Sequence, residues 1–312
     1  MTSLPVYPRI TVIGCGLIGS SMVRGARQSG ASGHITVTDS NPAVLDRVTA
    51  LGIADLVEAD MARAVEGADL VILATPVLAV AEIMAVIAPG LRPGSTVSDV
   101  GSVKGSVSEA MQAAAPEGVF VIPGHPIAGS EQSGPDAGFA ELFHDRWTIL
   151  TPITARTEDA YALAVARLSS FWRTLGAQVE LMDDKHHDLV LAVTSHLPHL
   201  IAYNIVGTAA DLEEVTRAEV MKYSAGGFRD FTRIAASDPT MWRDIFVANR
   251  EAVLDVLGRF TEDLQALSRA IRWGEADKLH DLFSRTREIR RGIIALGQES
   301  AEPNFGRDRG KQ

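Results

Sequence analysis

Of 312 residues only one is a cysteine, Cys15, and no segment concentrates lysine and arginine. A single thiol excludes an intrachain disulfide and suits a reducing compartment, so a cytoplasmic location is expected. The missing basic block, with a formal net charge of −10, leaves no electrostatic footprint for nucleic acid or an anionic membrane. No basic-then-apolar leader opens the chain, and no uninterrupted apolar stretch reads as long enough to cross a bilayer. Neither a signal peptide nor a membrane span is therefore expected. There is no HExxH-type arrangement and no cysteine cluster, so no metal is expected. Internal repeats and low-complexity blocks are also lacking. What remains is a chain long enough for two domains, each with its own core.

The most informative feature present is Gly14-Cys15-Gly16-Leu17-Ile18-Gly19, followed twenty residues later by Asp39. The motif closes a strand-like run, Ile10 to Ile13, and opens a helix-like one, Ser20 to Gln28. A second run, His34 to Thr38, delivers the acid where a cofactor ribose would lie. Gly14 permits a sharp turn, Gly16 leaves room for a pyrophosphate against bare backbone, and Gly19 lets helix and strand pack closely. The helix N-terminus, with Leu17 and Ile18 in its first turn, offers free N–H groups to phosphates. Asp39 can accept both ribose hydroxyls and would repel a 2′-phosphate, which favours NAD over NADP. Cys15 fills a variable slot and is read as packing.

The first half alternates short β-branched runs with helical patterns, which predicts a doubly wound parallel sheet of Rossmann type. Candidate strands are Ile10–Ile13, Ile35–Thr38, Leu70–Ala74, Thr96–Asp99, Val119–Ile122, Thr148–Leu150 and Gln178–Leu181. Their carboxyl ends carry Gly14, Asp39, Thr75-Pro76, Gly101-Ser102 and Gly124-His125, the edge where open α/β sheets bind ligands. From about Met182 the pattern turns helical: Lys185–Val206, Glu213–Ala225, Pro239–Ala270 and Glu275–Leu296. The expected division is a dinucleotide-binding domain over 1–182, an all-α domain over 183–300 and a loose polar tail over 301–312. The apolar surface of those helices points to a homodimer formed through them.

Several residues could carry chemistry. His125 brings one imidazole to the ligand edge, where a hydroxyl must lose a proton as hydride leaves the same carbon. Ser102 can hold the substrate hydroxyl or the nicotinamide, or cap a helix. His196 and His199 lie one helical turn apart, near His186 and His187. Pro198 is expected to shape the helix so that both imidazoles face the cleft. Gly226 and Gly227 are expected to break a helix before Arg229, Asp230 and Arg233, whose flanking Phe228, Phe231 and Ile234 imply partial burial. A partly buried arginine needs an anion, and Arg233 is the expected carboxylate clamp. Trp242 reads equally well as cleft wall or core.

At this point the chain resembles the prephenate and arogenate dehydrogenases of tyrosine biosynthesis, over roughly residues 9–296. The resemblance rests on GCGLIGSS, LATPV, DVGSVKG, GHPIAGSEQSG, SHLPH, GGFRDFTRIAASDP and MWRDI. It implies that His125 bonds the ring hydroxyl of the substrate with help from Ser102. It also implies that His196 and His199 line the substrate pocket and that Arg233 binds a carboxylate. Glu131 resembles a gating acid near that arginine, with Asp230 and Trp242 in support. No fused chorismate mutase segment precedes the glycine motif and no regulatory domain follows the last helix, so a single activity is expected. Two further readings remain: a two-domain 3-hydroxyacid dehydrogenase, for which Lys185 and Lys222 are the credible lysines, and a non-catalytic NAD sensor.

Overall fold

The computed structural model describes residues 4–129, 132–211 and 226–295. The chain divides into two compact units, Met1–Leu254 and Asp255–Gln312. The first unit opens with β1 (Tyr7–Ile13), α1 (Leu17–Ser29), β2 (Ser32–Thr38), α2 (Pro42–Leu51), β3 (Leu56–Val57) and α3 (Met61–Ala64). It continues through β4 (Leu70–Leu73), α4 (Val80–Ile87), β5 (Thr96–Asp99), α5 (Gly105–Ala114) and β6 (Phe120–Val121). These strands form one sheet in the order β3-β2-β1-β4-β5-β6, with all pairings parallel. The order reverses between β1 and β4, and at that switch point the carboxyl ends open a crevice.

Side-chain alternation along β1 shows why helices cover both faces. Ile10 and Val12 join Met22, Val23 and Ala26 of α1 and Leu168 and Trp172 of α6 (Asp159–Thr174) in one core. Ile13 turns the other way, into a core with Met84 and Ile87 of α4 and Val107 and Met111 of α5. A strand buried on both faces reads as a continuous apolar run, as β4 does, and β1 does so from Ile10 to Ile13 apart from the buried Thr11.

Two of the expected strands lie outside this sheet. β7 (Gly124–Pro126), β8 (Trp147–Leu150) and β9 (Gln178–Leu181) form a separate three-stranded sheet. In it β7 runs antiparallel to β8, and β8 parallel to β9. The ladder ends at a side chain. Ile122 N–H still donates to Val97 O, but the next amide facing β5, that of Gly124, donates to the Asp99 carboxylate instead of a main-chain oxygen, and the chain leaves β5 there. β7 and the two-residue β3 are too short to show a period of two.

No strand occurs beyond β9 among the described residues. α7 (Asp184–Leu191), a π-helical turn (Ala192–His196) and α8 (Leu197–Ala210) form one continuous rod. An 18-residue stretch of this 27-residue rod has a mean hydropathy of 1.4, so by length and composition alone it passes for a membrane span, as core helices of soluble proteins also do. Its histidines, Pro198 and Asn204 interrupt the apolar run. Its Leu189, Val193, Ile205 and Val206 are exposed, whereas His187, Asp188 and His196 are buried. After it come α9 (Gly226–Thr232), a 3₁₀ turn (Arg233–Ala236), α10 (Pro239–Ala248) and α11 (Arg250–Arg272). The single helix expected over 239–270 is interrupted at Asn249, whose φ of −104 and ψ of 32 end α10. The helix expected over 213–225 lies outside the described residues. In the second unit, α12 (Ala276–Ala295) leaves Phe283 and Ile289 exposed.

Candidate active site

The cofactor end is built from backbone. Gly14 has φ +91, and a Cβ there would stand 2.4 Å from Ala74 O. A Cβ on Gly19 would stand 2.1 Å from Gly14 O, whereas one on Gly16 would meet nothing within 4 Å among the described residues. The turn and the close packing therefore forbid a side chain at Gly14 and Gly19. Gly16 faces open space, as a pyrophosphate cradle requires. α1 starts without a side-chain cap or an acid in its first turn, so its leading amides remain available to an anion. Leu17 is buried beneath them and Ile18 half-buried. Asp39 ends β2 and binds the loop itself. Its Oδ2 accepts from Cys15 N–H and its Oδ1 from Asn41 N–H, both at 2.9 Å. Each oxygen keeps a lone pair for a ribose hydroxyl. Burial, with Asp39 beside it, pushes the Cys15 thiol up to about 12, which leaves it as inert packing. The Thr75 hydroxyl is buried with no hydrogen-bond partner among the described residues, and Pro76 precedes a 3₁₀ turn.

At the end of β5, Asp99 joins two loops. Its Oδ2 accepts from Gly101 N–H at 2.8 Å and from the Lys104 ammonium, and its Oδ1 accepts from Gly124 N–H at 3.1 Å. Lys104 Nζ also donates to Gly124 O at 2.8 Å. Lys104 and Asp99 are fully buried, so the pair is sustained by these extra bonds. Together they fix the backbone on either side of Ser102 and directly before His125. Ser102 itself is half-buried and is not the cap of α5. That role belongs to Asp188, whose carboxylate accepts from Lys104 N–H at 2.7 Å and Gly105 N–H at 2.9 Å.

His125, on β7, is buried, and its Nδ1 lies 2.9 Å from His187 Nε2. His187 Nδ1 lies 2.9 Å from Asp188 Oδ1. Proton positions follow from chemistry. A carboxylate only accepts, so His187 carries its proton on Nδ1 and presents a bare Nε2. His125 must then donate from Nδ1, which leaves its own Nε2 bare. Burial holds His125 well below the usual histidine value, assisted by His187, Lys104 and His196. Desolvation likewise lowers His187. Burial pushes Asp188 up, yet the bonds from His187, Lys104 and Gly105 hold it below the ordinary carboxylate range. The sequence alone does not mark Asp188 as functional, and it offers His187 only as a neighbour of His186.

On the helical side, His196 is fully buried and Trp242 nearly so. The His196 and Trp242 ring centroids are 6.1 Å apart at 78°, and His199 stacks on Trp242 at 3.6 Å and 23°. Both histidines thus share one face, and the π turn directly before Pro198 accommodates its missing N–H. Trp242 packs with Val103 and Ile245, so it joins the loop after Ser102 to the helices. Burial lowers His196 to about 4 and also lowers His199, whose Nδ1 donates to Ser195 O at 2.9 Å. Gly226 and Gly227 are the first described residues of α9, and the helix expected to end before them lies outside the described residues. Phe228 and Ile234 are half-buried, but Phe231, Arg229, Asp230 and Arg233 are exposed. Glu131 lies outside the described residues.

Residues 22–181 match the family model described as "Prephenate dehydrogenase, nucleotide-binding domain". Residues 183–285 match "Prephenate dehydrogenase, dimerization domain". A cyclohexadienyl dehydrogenase of Zymomonas mobilis is 43% identical over 289 residues, 92% of this chain and 96% of that protein. The solved prephenate dehydrogenase of A. aeolicus, in complex with hydroxyphenyl propionate and NAD+, is similar with a TM-score of 0.84 at 34% identity. It covers 92% of this chain and 98% of its own. Synechocystis arogenate dehydrogenase follows with a TM-score of 0.77 at 25% identity, covering 91% and 99%. With both halves matched in order and 43% identity carried along nearly the whole length, the chain belongs to the prephenate dehydrogenase family.

Proposed function

We propose that this protein catalyses the NAD-dependent oxidative decarboxylation of prephenate to 4-hydroxyphenylpyruvate, of arogenate to tyrosine, or of both, within tyrosine biosynthesis. The observation that carries the reading is the Asp188–His187–His125 chain, which leaves a bare, neutral Nε2 on His125 at the carboxyl edge of the dinucleotide-binding sheet. NAD, when bound along Gly14, Gly16 and Gly19 with its ribose on Asp39, supplies the hydride acceptor. His125 accepts a hydrogen bond from the ring hydroxyl, and Ser102 holds the same oxygen. As hydride leaves the carbinol carbon, His125 takes up the growing positive charge on the hydroxyl proton. The bond from ring to carboxylate then breaks, and its electron pair enters the ring, releasing carbon dioxide. The phenol keeps its proton, so the proton count closes, and aromatisation makes the step effectively irreversible.

The remaining assignments belong to the same reading. Arg233 is the clamp for the side-chain carboxylate, gated by Glu131 and supported by Asp230, and His196, His199 and Trp242 line the ring. The end of β9 at Leu181 supports a boundary between 182 and 183. The exposed apolar residues of the helices support a homodimer formed through the second domain, and the single buried cysteine supports a cytoplasmic setting. The test follows NADH absorbance with prephenate and with arogenate, using malate and 3-hydroxyisobutyrate as controls. Reduction of NAD with one or both cyclohexadienyl substrates is expected, and their ratio gives the preference. Turnover of 3-hydroxyisobutyrate alone would favour the hydroxyacid reading, and NAD binding without any turnover would favour a sensor.

A further inference from the structure

Asn249 stands at the joint between α10 and α11, is buried, and belongs to none of the motifs singled out in the sequence. Its side-chain nitrogen lies 2.9 Å from Asp188 O and 3.1 Å from His196 Nδ1. The carbonyl of Asp188 can only accept, which fixes the amide with its NH2 group towards the rod. The second hydrogen of that group then points at His196, so His196 Nδ1 must accept and its proton must sit on Nε2. Protonating both nitrogens would set two donors against each other, consistent with burial holding this imidazole near 4.

That assignment inverts the pattern of its neighbours. His125, His187 and His199 each carry a proton on Nδ1, set by His187, Asp188 and Ser195 respectively. Among these four imidazoles only His196 presents an N–H at Nε2. That atom is buried and has no hydrogen-bond partner among the described residues, and the same holds for the nearby Trp242 Nε1. A buried donor without an acceptor is costly, and at a site built for a ligand the missing acceptor belongs to the ligand.

We propose that Asn249 is a positioning residue that holds His196 in the Nε2–H tautomer, so that the pocket offers one buried imidazole donor to an acceptor oxygen of the substrate. The inference rests on the dehydrogenase reading only for the identity of that substrate. Asn249 also ties residue 188 to residue 196 across the π turn, so the same amide joins the donor imidazole to the segment that orients His125.

The test uses the full chain labelled with ¹⁵N-histidine. Long-range proton–nitrogen spectra of the wild type are expected to show His196 neutral with its proton on Nε2. Asn249→Asp replaces the donor with an acceptor of the same shape, so the His196 proton moves to Nδ1. The substrate KM should then rise roughly tenfold to a hundredfold, the loss of one buried hydrogen bond to a charged group, while the KM for NAD stays within about twofold. A His196 proton on Nδ1 in the wild type overturns the proposal. So does a switched tautomer with an unchanged substrate KM. If Asn249→Asp does not fold, Asn249→Ser removes the amide, and the wild-type spectrum still decides the tautomer. A chain with the expected spectrum and no turnover of either cyclohexadienyl substrate would refute the function and leave the tautomer assignment intact.

Discussion

His125 owes its place in the chemistry to the position of one proton. Because His187 takes the Nδ1 hydrogen, the nitrogen left for the substrate is a base, and burial keeps it one down through the ordinary histidine range. His125→Asn should lower kcat by roughly 10²–10⁴ while leaving the KM for NAD nearly unchanged. In the wild type, the acid limb of kcat/KM, which reports the free enzyme, should fall well below pH 6.5 because the imidazole resists protonation there. Near-normal turnover in a folded His125→Asn variant, or an acid limb centred at the ordinary histidine value, would remove His125 from the role of base. The sequence made His125 legible because glycine and proline frame it in a loop after a strand. It did not reveal the residues that set its proton: His187 and Asp188 sit in an unremarkable helical run, and Asn249 is 53 residues from the imidazole it bonds. No local period encodes a contact over such separations.

Among the elements, the turn from β1 into α1 was the most legible, because its demands are steric and local. Its three glycines separate fold from function. Gly19→Ala would drive a methyl into Gly14 O, whereas Gly16→Ala adds one where nothing among the described residues lies within 4 Å. Gly16→Ala should therefore keep its unfolding free energy in urea within about 0.5 kcal/mol of wild type, as at an open site, yet lose most of its NAD affinity by calorimetry. Unchanged affinity would move the pyrophosphate away from this turn. β3 and β7 escaped sequence reading through brevity, and the second sheet escaped because nothing at the end of β6 announces where the chain goes next. The start of α5 escaped for another reason: a helix with a serine just ahead of it invites a local cap, but the carboxylate that caps it arrives from α7.

For the molecule as a whole, the site is a collection of imidazoles that fold neutral. His125, His187, His196 and His199 all lie below the ordinary histidine value, chiefly through burial. The unfolded chain binds protons at these positions below about pH 6.5 while the folded one refuses them, so stability is full above that pH and falls as pH drops towards the folded values. His196, at about 4, contributes a loss on the order of 3 kcal/mol across that window. Urea unfolding at fixed protein concentration should show a clearly lower midpoint at pH 5 than at pH 7.5. Equal midpoints would mean that these rings are hydrated and free to protonate. The cap on α5 also orders events during synthesis. When β9 has just emerged from the ribosome, every strand of both sheets exists, but α5 has no carboxylate at its start and His125 has no imidazole to hold its Nδ1 hydrogen. The sheet is thus finished before the chemistry is specified, and a chain truncated after β9 would carry the cofactor's cradle without a base of defined tautomer.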